Sequence, residues 1–300
     1  MDPHFSEDRL GYIDAHVHIR DVTAVDDIAQ AGIVAVRDAG TREGTSLVFR
    51  RHRGVSGLPT VVTAGRALVK KDGYGAVLGT IVDTRAEIES AIAALARDGA
   101  DIIKVVASGA VSLKRPGTIT AGGFGREELL YIADIARMNG LAVMAHANGE
   151  AAIGHAAEAG VLSIEHGFFM TEEALRIMAG RGVSWVPTVG ALRRAADQPE
   201  APGEARAFIE RLIDEHLVMV GKAFALGIPL AVGTDAVLPD RRYGSYYESE
   251  LAYFRRAGIP AAAVERIARA GGAKLLGLKH RTQGPGGKGQ GPIDEHAGDA

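Results

Sequence analysis

The sequence predicts a single α/β domain, a (β/α)8 barrel, and three observations predict it. Short apolar, β-branched runs, eight in number, recur along the chain in a repeating pattern in which a run is followed by a longer segment with helical spacing. Turn glycines stand near the ends of several helical stretches, at Gly99, Gly140, Gly160, Gly182 and Gly227. The position after the first run, where an open doubly wound sheet carries a glycine-rich phosphate turn, holds His16, Val17 and His18 instead.

In chain order the predicted strands are Tyr12–His18, Ile33–Arg37, Thr60–Gly65, Asp101–Ala107, Leu141–His146, Val161–His166, Val183–Pro187 and Pro229–Thr234. Between and after them the helical spacing is clearest over Ala86–Arg97, Glu127–Met138, Glu150–Ala159, Glu172–Gly180, Ala205–Leu226 and Ala261–Leu276. Gly122-Gly123-Phe124-Gly125 follows no strand directly and lacks the dinucleotide fingerprint, so it is expected to be an active-site loop rather than a phosphate site. Residues 1–11 are expected to be an N-terminal extension, 12–280 the barrel, and 281–300, rich in glycine and poor in apolar residues, a disordered tail.

With 300 residues, 47% of them hydrophobic and 24% charged, one large core is within reach. The net charge of −3 and the mixing of acids with bases argue against nucleic acid or an anionic membrane as partner, which leaves a small-molecule or dipeptide substrate. No cysteine occurs, so disulfides and thiolate ligands are excluded and any metal must be held by nitrogen and oxygen. Met1 to Gly11 have no apolar core, and no later apolar run reaches the about 18–20 residues that span a bilayer, so a soluble, cytoplasmic protein is expected.

His16 and His18 stand two apart on the first strand, so their side chains leave one face and can converge on one ion. Three other strand ends supply further donors: His146 in Val-Met-Ala-His-Ala, His166 in Ser-Ile-Glu-His-Gly and Asp235 in Val-Gly-Thr-Asp-Ala. In a barrel these ends meet on the C-terminal face, where such enzymes place catalytic residues. Lys104 lies inside the apolar run Ile102-Ile103-Lys104-Val105-Val106, where a bare ammonium is costly. Either the lysine is neutral or ion-paired, or its amine has reacted with carbon dioxide to form a carbamate, an oxygen anion able to bridge two cations.

This residue set resembles the amidohydrolase superfamily, and within it the imidazolonepropionase-like, carboxylated-lysine branch that includes metal-dependent dipeptidases. The resemblance runs from Tyr12 to about Leu278 and rests on Ile13-Asp14-Ala15-His16-Val17-His18, Ile103-Lys104-Val105, Ala145-His146-Ala147, Ile164-Glu165-His166-Gly167 and Gly233-Thr234-Asp235-Ala236. It implies two divalent metal ions, zinc first among them. His16 and His18 would hold the first and His146 and His166 the second, with the Lys104 carbamate and a hydroxide between them. Asp235 would bind the first ion and move the nucleophile's proton to the leaving amine. Relatives of this kind carry a small flanking β-sandwich. Only about eleven residues precede the first strand here, and the tail does not read as strands, so the sandwich is expected to be reduced or absent, and a homo-oligomer is one way to cover that flank.

Other polar residues have plainer readings. His4, His52, His155, His216, His280 and His296 are expected on the surface or on helix faces. Glu165 alternates with His166 and should point away from the barrel interior, while Asp14 either points inward below the metals or stabilises its strand end. Trp185 either lines the pocket or packs against a helix. Four loops carry cationic pairs, Lys70-Lys71, Lys114-Arg115, Arg193-Arg194 and Arg241-Arg242. Solvated charge is their default reading, but one or two pairs can hold a substrate carboxylate, and Arg241, Arg242, Tyr246 and Trp185 are the candidate substrate contacts.

The leading functional expectation is hydrolysis of an amide bond in a dipeptide, N-acyl amino acid or cyclic amide. Ester, lactone or phosphotriester hydrolysis suits the same metals. Deamination goes with one metal and no carboxylated lysine, and a catalytically silent scaffold does not need a complete ligand set.

Overall fold

The computed structural model describes residues 11–52, 58–199 and 203–278. Strands and helices alternate as β1 (Tyr12–Ile19), α1 (Ala24–Gln30), β2 (Ile33–Asp38), β3 (Thr60–Thr63), β4 (Ala67–Lys70), β5 (Gly79–Val82), α2 (Arg85–Asp98), β6 (Ile102–Val106) and α3 (Arg126–Met138). They continue as β7 (Ala142–Ala147), α4 (Glu150–Glu158), β8 (Ser163–His166), α5 (Glu172–Arg181), β9 (Ser184–Val186), α6 (Val189–Ala196), α7 (Gly203–Ala225), β10 (Ala236–Leu238) and α8 (Tyr243–Arg256). The last helical stretch reads α9 (Ala261–Arg266), a π-helical turn over Ile267–Gly271, and α10 (Gly272–Leu275).

All paired strands are parallel, in the orders β10-β1-β2-β3 and β5-β4-β6-β7-β8-β9. The two sheets are halves of one (β/α)8 ring. At one seam the third barrel strand is split: β3 pairs with β2, the chain turns at Gly65 (φ +67°), and β4 pairs with β6. The Asp101 N–H also donates to the Thr63 carbonyl there. At the other seam, residues 229–235 run between β9 and β1: the Trp185 and Ala231 N–H groups bond to Pro229 and Trp185 carbonyls, and Ala15 and Asp235 bond across to Val232 and His16.

The predicted eighth strand, Pro229–Thr234, lies within this stretch, yet it forms no regular ladder. Pro229 has no N–H to give. The Thr234 N–H donates to the Asp14 carboxylate, and Asp235 turns to φ +53°. The regular pairing resumes only at β10, which lies beside the upper half of β1. Likewise the stretch read as one helix, Ala261–Leu276, is divided by the π turn, where Gly271 and Gly272 let the chain close on the bottom of the ring. A Cβ on Gly271 would lie 2.6 Å from the Leu230 carbonyl oxygen, and one on Gly272 2.8 Å from Ile13. Strands β4, β5 and β10 and helices α1, α6 and α8 are additions to the sequence expectation.

Strands β1 and β6 are buried along almost all or all of their length, as parallel strands covered on both faces must be. In β6, Ile103 and Val105 pack outward in the main core with helix residues such as Ile92 and Ile132. Ile102 packs with Met144, Ala39 and Ala64 in a separate cluster inside the ring. Lys104 shares the parity of Ile102 and so points inward above it. No helix among the described residues is long and apolar enough to cross a membrane.

Candidate metal centre

The strand ends bring the predicted donors together. His16 and His18 rings stand 5.4 Å apart, His16 and His166 5.0 Å, and His146 and His166 4.5 Å, centroid to centroid. Asp235 reaches into this group: its Oδ1 lies 3.5 Å from His16 Nε2 and 3.2 Å from His18 Nε2, and its Oδ2 3.9 Å from His166 Nδ1. Donor atoms of His16, His18 and Asp235 all fall within 4.8 Å of one another. Lys104 is buried with no hydrogen-bond partner for Nζ, and its charge bears on His16, His146 and His166.

Each ring is held from behind. His16 Nδ1 lies 2.6 Å from Glu165 Oε2, and His18 Nδ1 2.6 Å from the Gly40 carbonyl oxygen. The Gly40 position is itself fixed because its N–H and that of Ile19 donate to Asp38, which also accepts from Ser46. His166 Nδ1 meets the Thr188 hydroxyl at 2.7 Å, and His146 Nε2 lies 3.1 Å from both the Gly109 carbonyl oxygen and the Asn148 amide.

A carboxylate and a carbonyl can only accept. His16 and His18 thus each engage an acceptor through Nδ1 and turn Nε2 toward the Asp235 carboxylate. Two imidazole nitrogens and a carboxylate converge on one point. That arrangement suits a cation of nitrogen- and oxygen-binding type, and the unpartnered buried Nε2 of His16 fits the same description.

Burial works in the same direction on the titratable groups. Desolvation, aided by Lys104, lowers His16 to about 4 and His146 to about 3, and it drives His166 well below the usual histidine range, so all three rings are neutral near pH 7. Desolvation lowers Lys104 from 10.5 to about 8. For Asp235 burial pulls upward, but the hydrogen bond with His18 and the nearby His16 and His166 outweigh it, and the carboxyl is held well below its ordinary value.

Three residues at the mouth, His166 (φ +66°), Thr188 (φ +47°) and Asp235 (φ +53°), adopt left-handed backbone that branched or bulky side chains avoid. Such strain collects at functional sites. At His166 it overturns the expected alternation. Ser163 and Glu165 already face the ring interior, both fully buried, and the turn at His166 swings the next side chain inward as well. Glu165 therefore does not point toward the helical layer: its Oε1 accepts from Arg37 Nη2 and the Ser163 hydroxyl, and its Oε2 faces His16.

Asp14 takes the strand-stabilising one of its two readings. It accepts from the His16 and Thr234 N–H groups, the Thr234 hydroxyl and the Tyr243 hydroxyl, tying β1 to the irregular eighth strand. Trp185, read as pocket-lining or packed against a helix, does the second: it is fully buried, its Nε1 donates to the His166 carbonyl, and it packs edge-on against His216 of α7. Of the two readings for His216, surface or helix face, the structure takes the second: it lies in α7 on a buried face, 2% exposed. His4, His280 and His296 lie outside the described residues, as do the terminal segments 1–10 and 279–300.

Of the cationic pairs, Lys70 sits at the end of β4 against Glu128 and Asp83, and Arg193 is bound to Asp197 and Glu210. Arg194, which the sequence did not single out from its pair, donates to the Thr234 and Asp235 carbonyls and lies over the Tyr246 ring. Arg241 is exposed, and Arg242 pairs with Asp240, which also takes the Tyr246 hydroxyl. Tyr74 is a further unforeseen neighbour, its ring 5.2 Å from that of His146. Arg37 and Arg194 were both within reach of the sequence, Arg37 as an arginine on an apolar strand and Arg194 as one of a cationic pair expected in a loop, which the structure instead places in α6.

Comparison with known proteins supports this reading of the fold. The model described as "Amidohydrolase family" matches residues 10–282. Ochratoxinase from Aspergillus niger is 30% identical over 204 residues, 59% of this chain and 42% of the enzyme, so the match spans less than half the length of that relative. An uncharacterized protein from Mycobacterium bovis is 28% identical over 243 residues, 75% of this chain and 63% of that protein. Among solved structures, a Xaa-Pro dipeptidase with methionine bound in its active site superposes with a TM-score of 0.75 at 25% identity, covering 90% of this chain and 75% of that one.

Proposed function

Because the chain belongs to the amidohydrolase family, we propose that it hydrolyses an amide C–N bond in a dipeptide, N-acyl amino acid or cyclic amide, with a site for two divalent cations, zinc foremost. The similarity to a Xaa-Pro dipeptidase and to an ochratoxinase supports an amide substrate. The observation that carries the metal reading is the convergence of the His16 and His18 Nε2 atoms on the Asp235 carboxylate, with donor atoms of all three within 4.8 Å of one another.

His16, His18 and Asp235 would hold the first cation, and His146 and His166 the second. Lys104 suits a carbamate between them. Its pKa of about 8 leaves roughly a tenth of the amine neutral at pH 7, and that form adds carbon dioxide with loss of one proton, giving an oxygen anion where a cation is otherwise buried without a partner. When bound, such cations acidify water and polarise a carbonyl.

The chain's own groups supply the rest. Asp235, held ionised, can accept a proton from the attacking water on a carboxylate oxygen and return it to the leaving nitrogen. Arg241, Arg242 and Tyr246, just before and within the start of α8, are the proposed contacts for a substrate carboxylate, with Trp185 supporting the His166 strand end from behind.

The test is elemental analysis of purified protein together with a panel of dipeptides, N-acyl amino acids and cyclic amides. Close to two equivalents of a divalent ion are expected, with amide hydrolysis abolished by a chelator and restored by zinc. Zero or one ion, or hydrolysis indifferent to chelation, refutes the proposal.

A further inference from the structure

Under the His16, His18 and Asp235 group lies a polar circuit whose members other than His16 the proposed reaction does not use. Arg37 donates from Nε to the Ala15 carbonyl at 2.8 Å, from Nη1 to the Ser163 hydroxyl at 3.0 Å and from Nη2 to Glu165 Oε1 at 2.8 Å. Ser163 donates to the same carboxylate oxygen at 2.5 Å, and Glu165 Oε2 takes His16 Nδ1. The circuit leaves β1 at the Ala15 carbonyl, crosses β2 and β8, and returns to β1 through the side chain of the next residue, His16.

Arg37, Glu165, Ser163 and His16 are all fully buried. Burying an ion pair gains little stability by itself, since desolvation of both charges offsets their attraction. Apolar packing is what a ring floor otherwise uses, as Ile13, Ala15, Ala35 and Val186 do nearby. The circuit therefore calls for a role beyond stability, and its one free end is His16.

We propose that Glu165, held by Arg37 and Ser163, is a positioning residue that locks His16 with its proton on Nδ1 and its Nε2 lone pair aimed at Asp235. The proposal rests on the metal reading above and deepens it. An imidazole free to change tautomer would place its proton on Nε2 for part of the time, where the Asp235 carboxylate 3.5 Å away would accept it. Glu165 Oε2, which can only accept, removes that alternative. Arg37 Nη2, 2.8 Å from Glu165 Oε1, pairs the carboxylate with a cation on the side away from His16, and the bond from Arg37 Nε to the Ala15 carbonyl ties the orientation to the strand that carries His16.

The experiment uses the full chain, stripped of metal and labelled with 15N in histidine. Long-range 1H–15N spectra, with His16→Gln identifying the resonance, should show His16 protonated on Nδ1. Glu165→Gln permits either tautomer, and the Arg37→Met/Glu165→Gln pair removes both charges should the single variant, with its unpaired guanidinium, fail to fold. In either, competition with a chromogenic chelator should show the first zinc bound ~10–100-fold more weakly, with Glu165→Asp recovering part of the loss. A wild-type His16 protonated on Nε2, or variants that bind the first zinc as tightly as wild type, overturns the proposal. Wild-type protein that binds no zinc while His16 is protonated on Nδ1 sinks the metal reading and leaves the hold of Glu165 on the ring standing.

Discussion

Replacing Lys104 by methionine separates what the lysine costs from what it does. The ammonium is buried without a hydrogen-bond partner, and desolvation brings its pKa from 10.5 down to about 8. At about 1.4 kcal/mol per pKa unit, that drop of about 2.5 corresponds to roughly 3 kcal/mol of folding stability forfeited by the metal-free chain. Methionine keeps the unbranched length and fills the same space without charge. Metal-free Lys104→Met should therefore be more stable than metal-free wild type by about 3 kcal/mol, or roughly 5–10 °C in Tm, while losing metal binding and turnover. The sign can be followed with pH. Below pH 8 both folded and unfolded wild-type chains carry the proton and the penalty is whole. Between pH 8 and 10.5 the folded chain sheds it first, wild type regains stability, and the gap closes. Urea unfolding of chelator-treated proteins from pH 7 to 10.5 measures this. A Lys104→Met protein less stable than wild type at pH 7, or a gap that does not narrow, would refute the reasoning, because Nζ would then have a partner that the variant removed.

Asp235→Asn should retain much of its metal yet lose ~10²–10⁴-fold in kcat on any amide substrate found, and unchanged turnover removes Asp235 from proton transfer. Glu250 is fully buried, accepts from the Val189 and Gly190 N–H groups, and is raised by burial from 4.5 to about 8. Its contribution is whole below pH 4.5 and lost as pH rises toward 8, so Glu250→Gln, which mimics the protonated acid, should gain on wild type by up to about 1.4 kcal/mol per pH unit between pH 5 and 8. A difference in urea stability that stays constant over that range contradicts it. Gly233→Ala places a Cβ 2.3 Å from Val186 Cγ1 and 2.9 Å from His16 Cβ, so a loss of about 1–3 kcal/mol and weaker metal binding are expected, read from urea midpoints and zinc titration.

The sequence by itself determined the repeating strand and helix periods, and with them the ring. It also supplied the candidate donors: two histidines at strand spacing, a lysine in a run too apolar to hold a bare charge, and three further strand-end side chains with nitrogen or oxygen donors. Those are local properties, visible in a window of a few residues. Tertiary structure alone decided how the donors are held. Glu165 meets His16 across 149 positions and Arg37 across 128, pairings set by which strands lie side by side in the ring. The inward turn of His166 depends on a left-handed φ that simple alternation excludes. The eighth strand lost its ladder because Asp14, far away in sequence, took the Thr234 N–H that a neighbouring backbone would have accepted. Hydrophobic period records which face is buried. It carries no information about which buried polar group will find which partner, because that depends on distances fixed only once the ring has closed.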